Sequence, residues 1–250
     1  KKIVGVVNIF NKHVFEIGPG NGSLTEYILK NNPKSLTIIE KDYLLFNKLK
    51  KKYEGRKDIK IIHGDILRFN LEKELSKNTI IFGNLPFNIS SQILVKLIKF
   101  RKWPPNYSSL ILMFQKEMAD RIEGEFGTSK YGRLSILTNY RLKILNRFNV
   151  SPNSFSPKPK VNSSVLLMEP KEKIFCKIKE IKNLEKITSS FFSNQRKMIN
   201  KNFKKIFKDL NYMKKIKNLK PNLRPADLKP EKYYEITRLF EKLKLTTFTK

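Results

Sequence analysis

The sequence predicts an α/β protein in which an open, mostly parallel sheet is followed by a small all-helical domain. Three observations support this class. Short apolar runs alternate with amphipathic stretches through the first 115 residues, two further apolar runs follow without a clear helix between them, and the strand pattern stops at Pro170. Strands that alternate with helices of this length form parallel sheets covered on both faces. We therefore predict domains at 1–170 and 171–250.

The predicted elements follow one another in a regular order along the chain. Periodicity and turn residues give strands at 13–18, 35–40, 59–63, 79–82 and 109–114, helices at 23–32 (with Ser23 as the cap), 42–53 and 90–100, and a closing antiparallel pair at 141–150 and 164–168. Ligands of such sheets bind at the carboxyl ends of the strands, near the switch in strand order. Functional residues are therefore expected directly after the strands.

Composition limits the classes of function. The formal net charge is +30, and residues 171–250 hold 23 Lys and Arg against 8 Asp and Glu. This charge favours a polyanionic partner, nucleic acid before a membrane surface, although A/T-rich coding also yields many lysines. A single cysteine excludes a disulfide framework, and two separated histidines without a Cys/His cluster predict no metal site. The sequence contains no apolar run of about 18 residues, so it predicts no membrane span.

Glycines and carboxylates follow the first three predicted strands. Residues 18–22 read Gly-Pro-Gly-Asn-Gly, and such glycines let the backbone turn tightly and approach a ligand. Glu40 ends the second strand, where it can accept hydrogen bonds from ribose hydroxyls. Asp65 follows the third, where it can accept from an adenine amino group. Each acid alone is as typical of a solvated turn or helix cap, but three successive strand ends favour a nucleotide-like ligand.

The fourth strand is followed by the most informative motif, Asn84-Leu85-Pro86-Phe87. An adenine N6 amine is a poor nucleophile because its lone pair is delocalised. The Asn84 side-chain oxygen and the Leu85 carbonyl can each accept one N–H and direct that lone pair, while Pro86 fixes the turn. Phe87 offers a stacking face worth about 1–3 kcal/mol. The motif therefore predicts methyl transfer to an exocyclic amine by positioning, with a simple Pro-containing loop as the alternative.

A set of motifs in this chain resembles a known family. The stretches are EIGPGNG, TIIE, GDI, GNLPFNIS, MFQKEMADRI, YGRLSIL, FSPKPKVNSSV and SNQRKMINKNF. Together they resemble the small-subunit ribosomal RNA adenine N6,N6-dimethyltransferases of the KsgA type. The resemblance implies a Rossmann-like S-adenosylmethionine-dependent methyltransferase sheet with a small C-terminal helical domain. It implies S-adenosylmethionine contacts at Gly18, Gly20, Glu40, Asp65, Ile66 and Asn84, and target-adenine contacts at Asn84, Leu85, Pro86, Phe87 and Phe155.

The resemblance also implies a substrate and partners. Such enzymes dimethylate two adjacent adenines in the 3′-terminal hairpin loop of small-subunit ribosomal RNA during small-subunit biogenesis. The immature small subunit is then the partner, and Arg196, Lys197, Lys201 and Lys204, on a predicted basic helix, are candidate RNA contacts. We expect a monomer. We favour the bacterial cytoplasm as the compartment, with an organelle as the alternative.

The sequence differs from the family pattern at two points, and three other functions are alternatives to small-subunit RNA dimethylation. Phe87 replaces the commoner Tyr, and the GQNFL-like segment that usually precedes the first strand is absent, which predicts weaker cofactor binding. The alternatives are a large-subunit RNA dimethylase of the macrolide-resistance type, a non-catalytic small-subunit assembly factor, and a DNA-binding relative among mitochondrial transcription factors.

Overall fold

The computed structural model describes residues 2–154 and 161–247. The chain divides into two compact units, the first comprising Lys1–Ala119 and Lys143–Pro170, the second Asp120–Leu142 and Lys171–Lys250. One division thus falls after Pro170, where the sequence predicts a boundary. Residues 120–142, which the sequence assigns to the first domain, cluster with the second unit instead.

The first unit is built on a seven-stranded sheet. Its strands are β1 (His13–Ile17), β2 (Ser35–Glu40), β3 (Ile59–His63), β4 (Thr79–Asn84), β5 (Tyr107–Gln115), β6 (Leu142–Val150) and β7 (Ser163–Pro170). Their spatial order is β3-β2-β1-β4-β5-β7-β6. The first five pair in parallel, and β7 runs antiparallel to β5. The strand order reverses between β1 and β4, so the expected ligand crevice lies outside the carboxyl ends of these two strands.

Helices of the first unit connect the parallel strands. They are α1 (Ser23–Leu29), α2 (Tyr43–Lys52), α3 (Leu71–Glu74) and α4 (Ser90–Ile98), and α5 (Lys116–Glu123) leads into the second unit. Short 3₁₀ turns occupy Val4–Val6 and Pro152–Ser154. The cap predicted for α1 is wrong. Gly22, in the left-handed region at φ 82°, precedes the helix in place of a hydroxyl cap at Ser23.

One face of the sheet carries a buried apolar cluster in the first unit. Its members come from several strands, from α1 and from the segment before β1: Val4, Ile9, Val14, Ile28, Leu36, Ile38, Ile80, Phe82, Ile111, Met113, Val165 and Leu167. β1 and β4 are buried along almost their whole length, as expected for parallel strands covered on both faces. The polar residues at their carboxyl ends are therefore exceptions that need an explanation.

Among its described residues, the second unit consists of helices, turns and loops, apart from Leu142, the first residue of β6. Its helices are α6 (Arg133–Arg141), α7 (Ile181–Phe192), α8 (Ile199–Phe207) and α9 (Pro230–Thr247), with 3₁₀ turns at Leu210–Lys215 and Pro225–Asp227. α7 packs against α6, α8 and α9. Apolar side chains of these helices are buried at Ile187, Phe191, Ile199, Phe203 and Phe207, while Phe192 and Ile206 are half-buried.

Tyrosine hydroxyls explain why residues 120–142 belong to the second unit. Tyr131 Oη donates to the Leu228 carbonyl over 2.7 Å, and Tyr140 Oη donates to the Cys176 carbonyl over 2.8 Å. Tyr234 Oη donates in turn to the Ile136 carbonyl of α6. These bonds join residues 36 to 98 positions apart, so no local sequence pattern indicates them.

Candidate active site

Strand register brings three polar side chains onto one face of the sheet at its carboxyl edge. Glu16 of β1 lies opposite Phe82 of β4 and Ile38 of β2, so Glu16 shares their face. Because side chains alternate along a strand, Glu40 at the end of β2 and Asn84 at the end of β4 point to that same face. The switch point of the sheet is therefore bordered by two carboxyl groups and one amide.

The glycine loop after β1 adopts left-handed backbone at three positions. Gly18, Gly20 and Gly22 have φ values of 65°, 59° and 82°. A Cβ built on Gly18 or Gly20 would meet no atom within 4 Å, so the backbone there borders open space. Gly22 differs, because its Cβ would lie 3.0 Å from the Leu49 side chain. The first two glycines leave room for a ligand, and the third permits close packing of α1 and α2.

Glu40 holds the backbone around the loop in place. Its Oε2 accepts from the N–H of Gly20 over 3.2 Å, and its Oε1 accepts from Lys41 and Asp42 over 2.8 and 2.9 Å. Only 8% of Glu40 is exposed. A carboxylate has about four acceptor positions, so one remains for a ligand hydroxyl. Glu40 therefore lies beside the glycine loop, and its predicted contact with ribose hydroxyls stays a prediction.

Asp65 and Ile66 follow β3. Asp65 Oδ1 accepts from Leu67 N–H over 2.9 Å, and its Oδ2 lies 3.0 Å from the Lys41 ammonium. The hydrogen bond from Leu67, and then the positive charge of Lys41, hold the pKa of Asp65 below its ordinary value. Ile66 is buried, with 7% of its surface exposed. Two consecutive residues after β3 thus supply a carboxylate whose pKa is lowered and a buried apolar side chain.

The motif at residues 84–87 leaves the sheet at the end of β4. Asn84 and Pro86 are exposed, Phe87 is half-buried, and Leu85 is buried. Leu85 folds back on the strand, because a Cβ on Gly83 would lie 2.6 Å from its Cδ2 atom. A hydrogen bond from Ile89 N–H to the Pro86 carbonyl closes the turn. Gly83 thus allows the turn that presents Asn84. Phe155, the other predicted aromatic contact, lies outside the described residues.

Glu16 is a candidate that the sequence reasoning did not assign to the site. It is 1% exposed, its Oε2 accepts from the Thr25 hydroxyl over 2.6 Å, and its Oε1 has no hydrogen-bond partner among the described residues. Burial raises the pKa of Glu16 to about 7. The hydrogen bond from Thr25 lowers this pKa, and the charge of Glu40 raises it further. The signal was available, since Glu16 is an acidic residue inside an otherwise apolar strand.

The predicted RNA-contacting cations are exposed in the second unit. Arg196 and Lys197 were expected on a helix and lie instead in the turn between α7 and α8, where Lys197 N–H donates to the Asn194 carbonyl. Ser193 Oγ donates to the Ser190 carbonyl at the end of α7. Lys201 and Lys204 lie on α8, as predicted. The four cations thus come from a turn and the helix that follows it.

The residues of the first unit fit an adenosyl cofactor. The glycine loop borders open space, Glu40 retains an acceptor position, and Asp65 with Ile66 offers a polar and an apolar contact. Within 2–154 and 161–247, no group of three or more His, Cys, Asp or Glu is placed to hold a metal ion. No helix in the same ranges has the length and apolar character needed to cross a membrane.

Comparison with known proteins identifies the family. A family model described as ribosomal RNA adenine dimethylase matches residues 1–242. The chain belongs to this family. The protein named ribosomal RNA small subunit methyltransferase A from Pelagibacter ubique (strain HTCC1062) is 46% identical over 98% of this chain and 92% of its own length. The protein of the same name from Malacoplasma penetrans (strain HF-2) is 38% identical over 94% and 85%.

Two solved structures have a similar fold. The crystal structure of a dimethyladenosine transferase from Plasmodium falciparum is 27% identical, with a TM-score of 0.77 over 96% of this chain and 94% of that chain. The 23S rRNA methyltransferase ErmE, 19% identical with a TM-score of 0.66 over 96% of both chains, supports the fold alone. The family resemblance and the fold class predicted from the sequence are confirmed, and the chain is a ribosomal RNA adenine dimethyltransferase.

Proposed function

We propose that this protein dimethylates N6 of two adjacent adenines in the 3′-terminal hairpin loop of small-subunit ribosomal RNA. The observation that carries the proposal is Asn84, an exposed amide at the end of an otherwise buried strand, beside the strand that precedes the glycine loop. The names of the most similar relatives support the small subunit as the source of the RNA. The large-subunit alternative is not favoured by those relatives.

The methyl donor in this proposal is S-adenosylmethionine, whose sulfonium supplies an activated methyl group. Gly18 and Gly20 would line its amino-acid portion, Glu40 would accept from its ribose hydroxyls, and Asp65 with Ile66 would hold its adenine. Asn84 would contact both the cofactor and the target base. These assignments agree with the open space at the glycines, the spare acceptor position of Glu40 and the burial of Ile66.

The chain's own residues activate the target amine by orienting it. Asn84 Oδ1 and the Leu85 carbonyl each accept one N6–H, which directs the nitrogen lone pair toward the methyl group. No base is needed before attack, because the amine loses its proton after it becomes positively charged. Phe87 stacks on the flipped base, and Phe155 is proposed to hold its other face on the strength of the family resemblance. Extrusion of a base is least costly in a loop, which suits a hairpin target.

The second unit is proposed to dock the RNA. Arg196, Lys197, Lys201 and Lys204 are exposed and can contact phosphates, which supply affinity and register but little sequence choice. The immature small subunit is the proposed partner, with the enzyme acting as a monomer in the bacterial cytoplasm. Bacterial relatives support this compartment.

The test uses the protein, labelled S-adenosylmethionine and two acceptors, undermethylated small subunits and large-subunit RNA. Nucleoside mass spectrometry of the products should find dimethyladenosine in the small subunit alone. Methylation of the large-subunit RNA in its place would contradict the proposal. Salt-sensitive binding to the small subunit with no methylation of either acceptor would favour a non-catalytic assembly factor.

A further inference from the structure

Strand register places Gln115 beside the target motif. Gln115 is the last residue of β5, and Asn84 pairs with Met113 of that strand. Gln115 therefore lies two residues beyond the partner of Asn84 toward the carboxyl edge, on the same face of the sheet. Beyond Asn84 the chain of β4 turns away, so Gln115 borders the edge where the target base is proposed to bind. Its side chain is half-buried.

Ser163 is the cross-strand neighbour of Gln115. The two residues are directly paired between β5 and β7, and Lys116 N–H donates to the Asn162 carbonyl next to them. Ser163 is fully buried, yet its Oγ has no hydrogen-bond partner in the part of the chain that the structure describes. Paired side chains on antiparallel strands have Cβ atoms about 4.5–5.5 Å apart. The Ser163 hydroxyl is thus within reach of the Gln115 amide after a rotamer change.

An adenine bound at Asn84 still has unpaired hydrogen-bond acceptors. Asn84 and the Leu85 carbonyl are acceptors that use the two N6 hydrogens, which leaves the ring nitrogens unpaired; of these, N1 lies beside N6 on the Watson–Crick edge. A buried acceptor without a partner is costly. A glutamine amide carries both an acceptor and a donor group. If the Ser163 hydroxyl donates to Gln115 Oε1, the amide is fixed with its NH₂ group free to donate.

We propose that Gln115 donates a hydrogen bond to N1 of the target adenine and that Ser163 is the positioning residue that orients its amide. This inference rests on the proposed function, because it assumes an adenine held by Asn84. Gln115 then selects against guanine, whose N1 carries a hydrogen. Methylation replaces the N6 hydrogens but leaves N1 unchanged, so the Gln115 contact persists into the second transfer, when Asn84 and Leu85 have lost one N–H between them.

The experiment combines a protein variant with an altered base. Wild-type protein and Gln115→Met are assayed on small subunits assembled with either adenine or 1-deazaadenine at both target positions, with Gln92→Met, an exposed glutamine of α4, as the control. On adenine, Gln115→Met should slow the second transfer at least about 10-fold more than the first and accumulate monomethyladenine. The N1 deletion should slow the wild type but should not slow Gln115→Met any further.

The outcomes separate this inference from the proposed function. Wild-type dimethylation of the adenine-containing subunit, combined with an equal effect of 1-deazaadenine on wild type and Gln115→Met, would overturn the N1 contact and leave the function intact. An absence of wild-type methylation on adenine would refute both. The ratio of monomethyl- to dimethyladenine should rise in Ser163→Ala and should equal the wild-type ratio in Ser163→Thr, which keeps the hydroxyl. A wild-type ratio in Ser163→Ala, with unchanged thermal unfolding, would refute the positioning role of Ser163.

Discussion

The carboxyl edge of the sheet and the basic surface of the second unit present functional groups in different ways. At the sheet edge, Glu40 accepts three backbone N–H groups and Asn84 emerges from a strand that is buried up to Gly83. In the second unit, Arg196 and Lys201 extend from a turn and a helix surface into solvent. The first region fixes atoms in place, whereas the second supplies positive charge.

This difference predicts two kinds of mutational response. Chemistry that depends on orientation fails when one group is lost, because a misplacement of about 1 Å can cost about 100-fold in rate. Binding through phosphate contacts declines in small steps and depends on salt.

Asn84→Ala should reduce methylation of the small subunit at least about 100-fold, because the target amine loses the acceptor proposed to orient it. Binding to the small subunit should change little, since the second unit retains its cations. The measurements are initial rates of methyl transfer and the dissociation constant for the subunit. Asn88→Ala removes an exposed amide of the same turn and is the control. Equal losses of rate and of subunit binding in Asn84→Ala would contradict the division of roles.

Glu40→Ala should weaken S-adenosylmethionine binding by roughly 10- to 100-fold. The substitution removes the proposed ribose acceptor and leaves the N–H groups of Gly20, Lys41 and Asp42 without their carboxylate. Isothermal titration with the cofactor measures the effect. Asp42→Ala is the matched control, because it removes the carboxylate that caps α2 and leaves Glu40 in place. Cofactor affinity that fell as far in Asp42→Ala as in Glu40→Ala would show that the loop, and not the acceptor, is responsible.

Glu16→Gln should change the pH dependence of stability. The pKa of Glu16 rises from 4.5 to about 7 on folding, so the folded protein holds a proton that the unfolded chain has released between these values. Wild-type stability therefore falls as pH rises through this window. The neutral glutamine removes this loss, so the variant should gain up to about 3 kcal/mol relative to wild type between pH 4.5 and 8.

Urea unfolding at pH 4.5 and pH 8 measures the stability of Glu16→Gln relative to wild type. Glu54→Gln, at an exposed position, is the control. A constant difference between wild type and Glu16→Gln across the range would mean that Glu16 does not titrate there.

Lys201→Ala should weaken small-subunit binding only about two- to five-fold. The slope of log affinity against log salt should fall by about 1, since the substitution removes one proposed phosphate contact. The same charge removed from the first unit in Lys50→Ala is the comparison, and it should leave the slope unchanged. Slopes measured between 50 and 200 mM salt decide the point. An equal decrease in both variants would mean that the docking surface extends over both units.

Local patterns made the strands that border the candidate site predictable. The strands at 35–40 and 59–63 have the predicted bounds, because apolar runs ended by polar residues mark them directly. Asp42 caps α2 as its position suggests. The motif at Asn84 was readable because an amide, a proline and an aromatic follow a buried strand without interruption.

Other features depend on contacts that the sequence does not display. The helix α6 was not predicted, since six of its nine residues are buried and they leave no amphipathic period. Its membership of the second unit depends on hydroxyl bonds between residues far apart in the chain, such as Tyr131 to Leu228. Arg196 was placed on a helix because the apolar spacing continues on both sides of it, whereas Ser193 and Asn194 end that helix in a turn.

The three hydrogen bonds to Glu40 have a consequence for how the cofactor associates. Donors and acceptor all belong to the protein, so these bonds form without a ligand and the loop backbone is ordered before the cofactor binds. Little conformational entropy is then lost at this position on binding. The amide hydrogens of Gly20, Lys41 and Asp42 should accordingly exchange slowly with solvent deuterium even without cofactor, and cofactor association should approach the rate of simple diffusion into a rigid crevice.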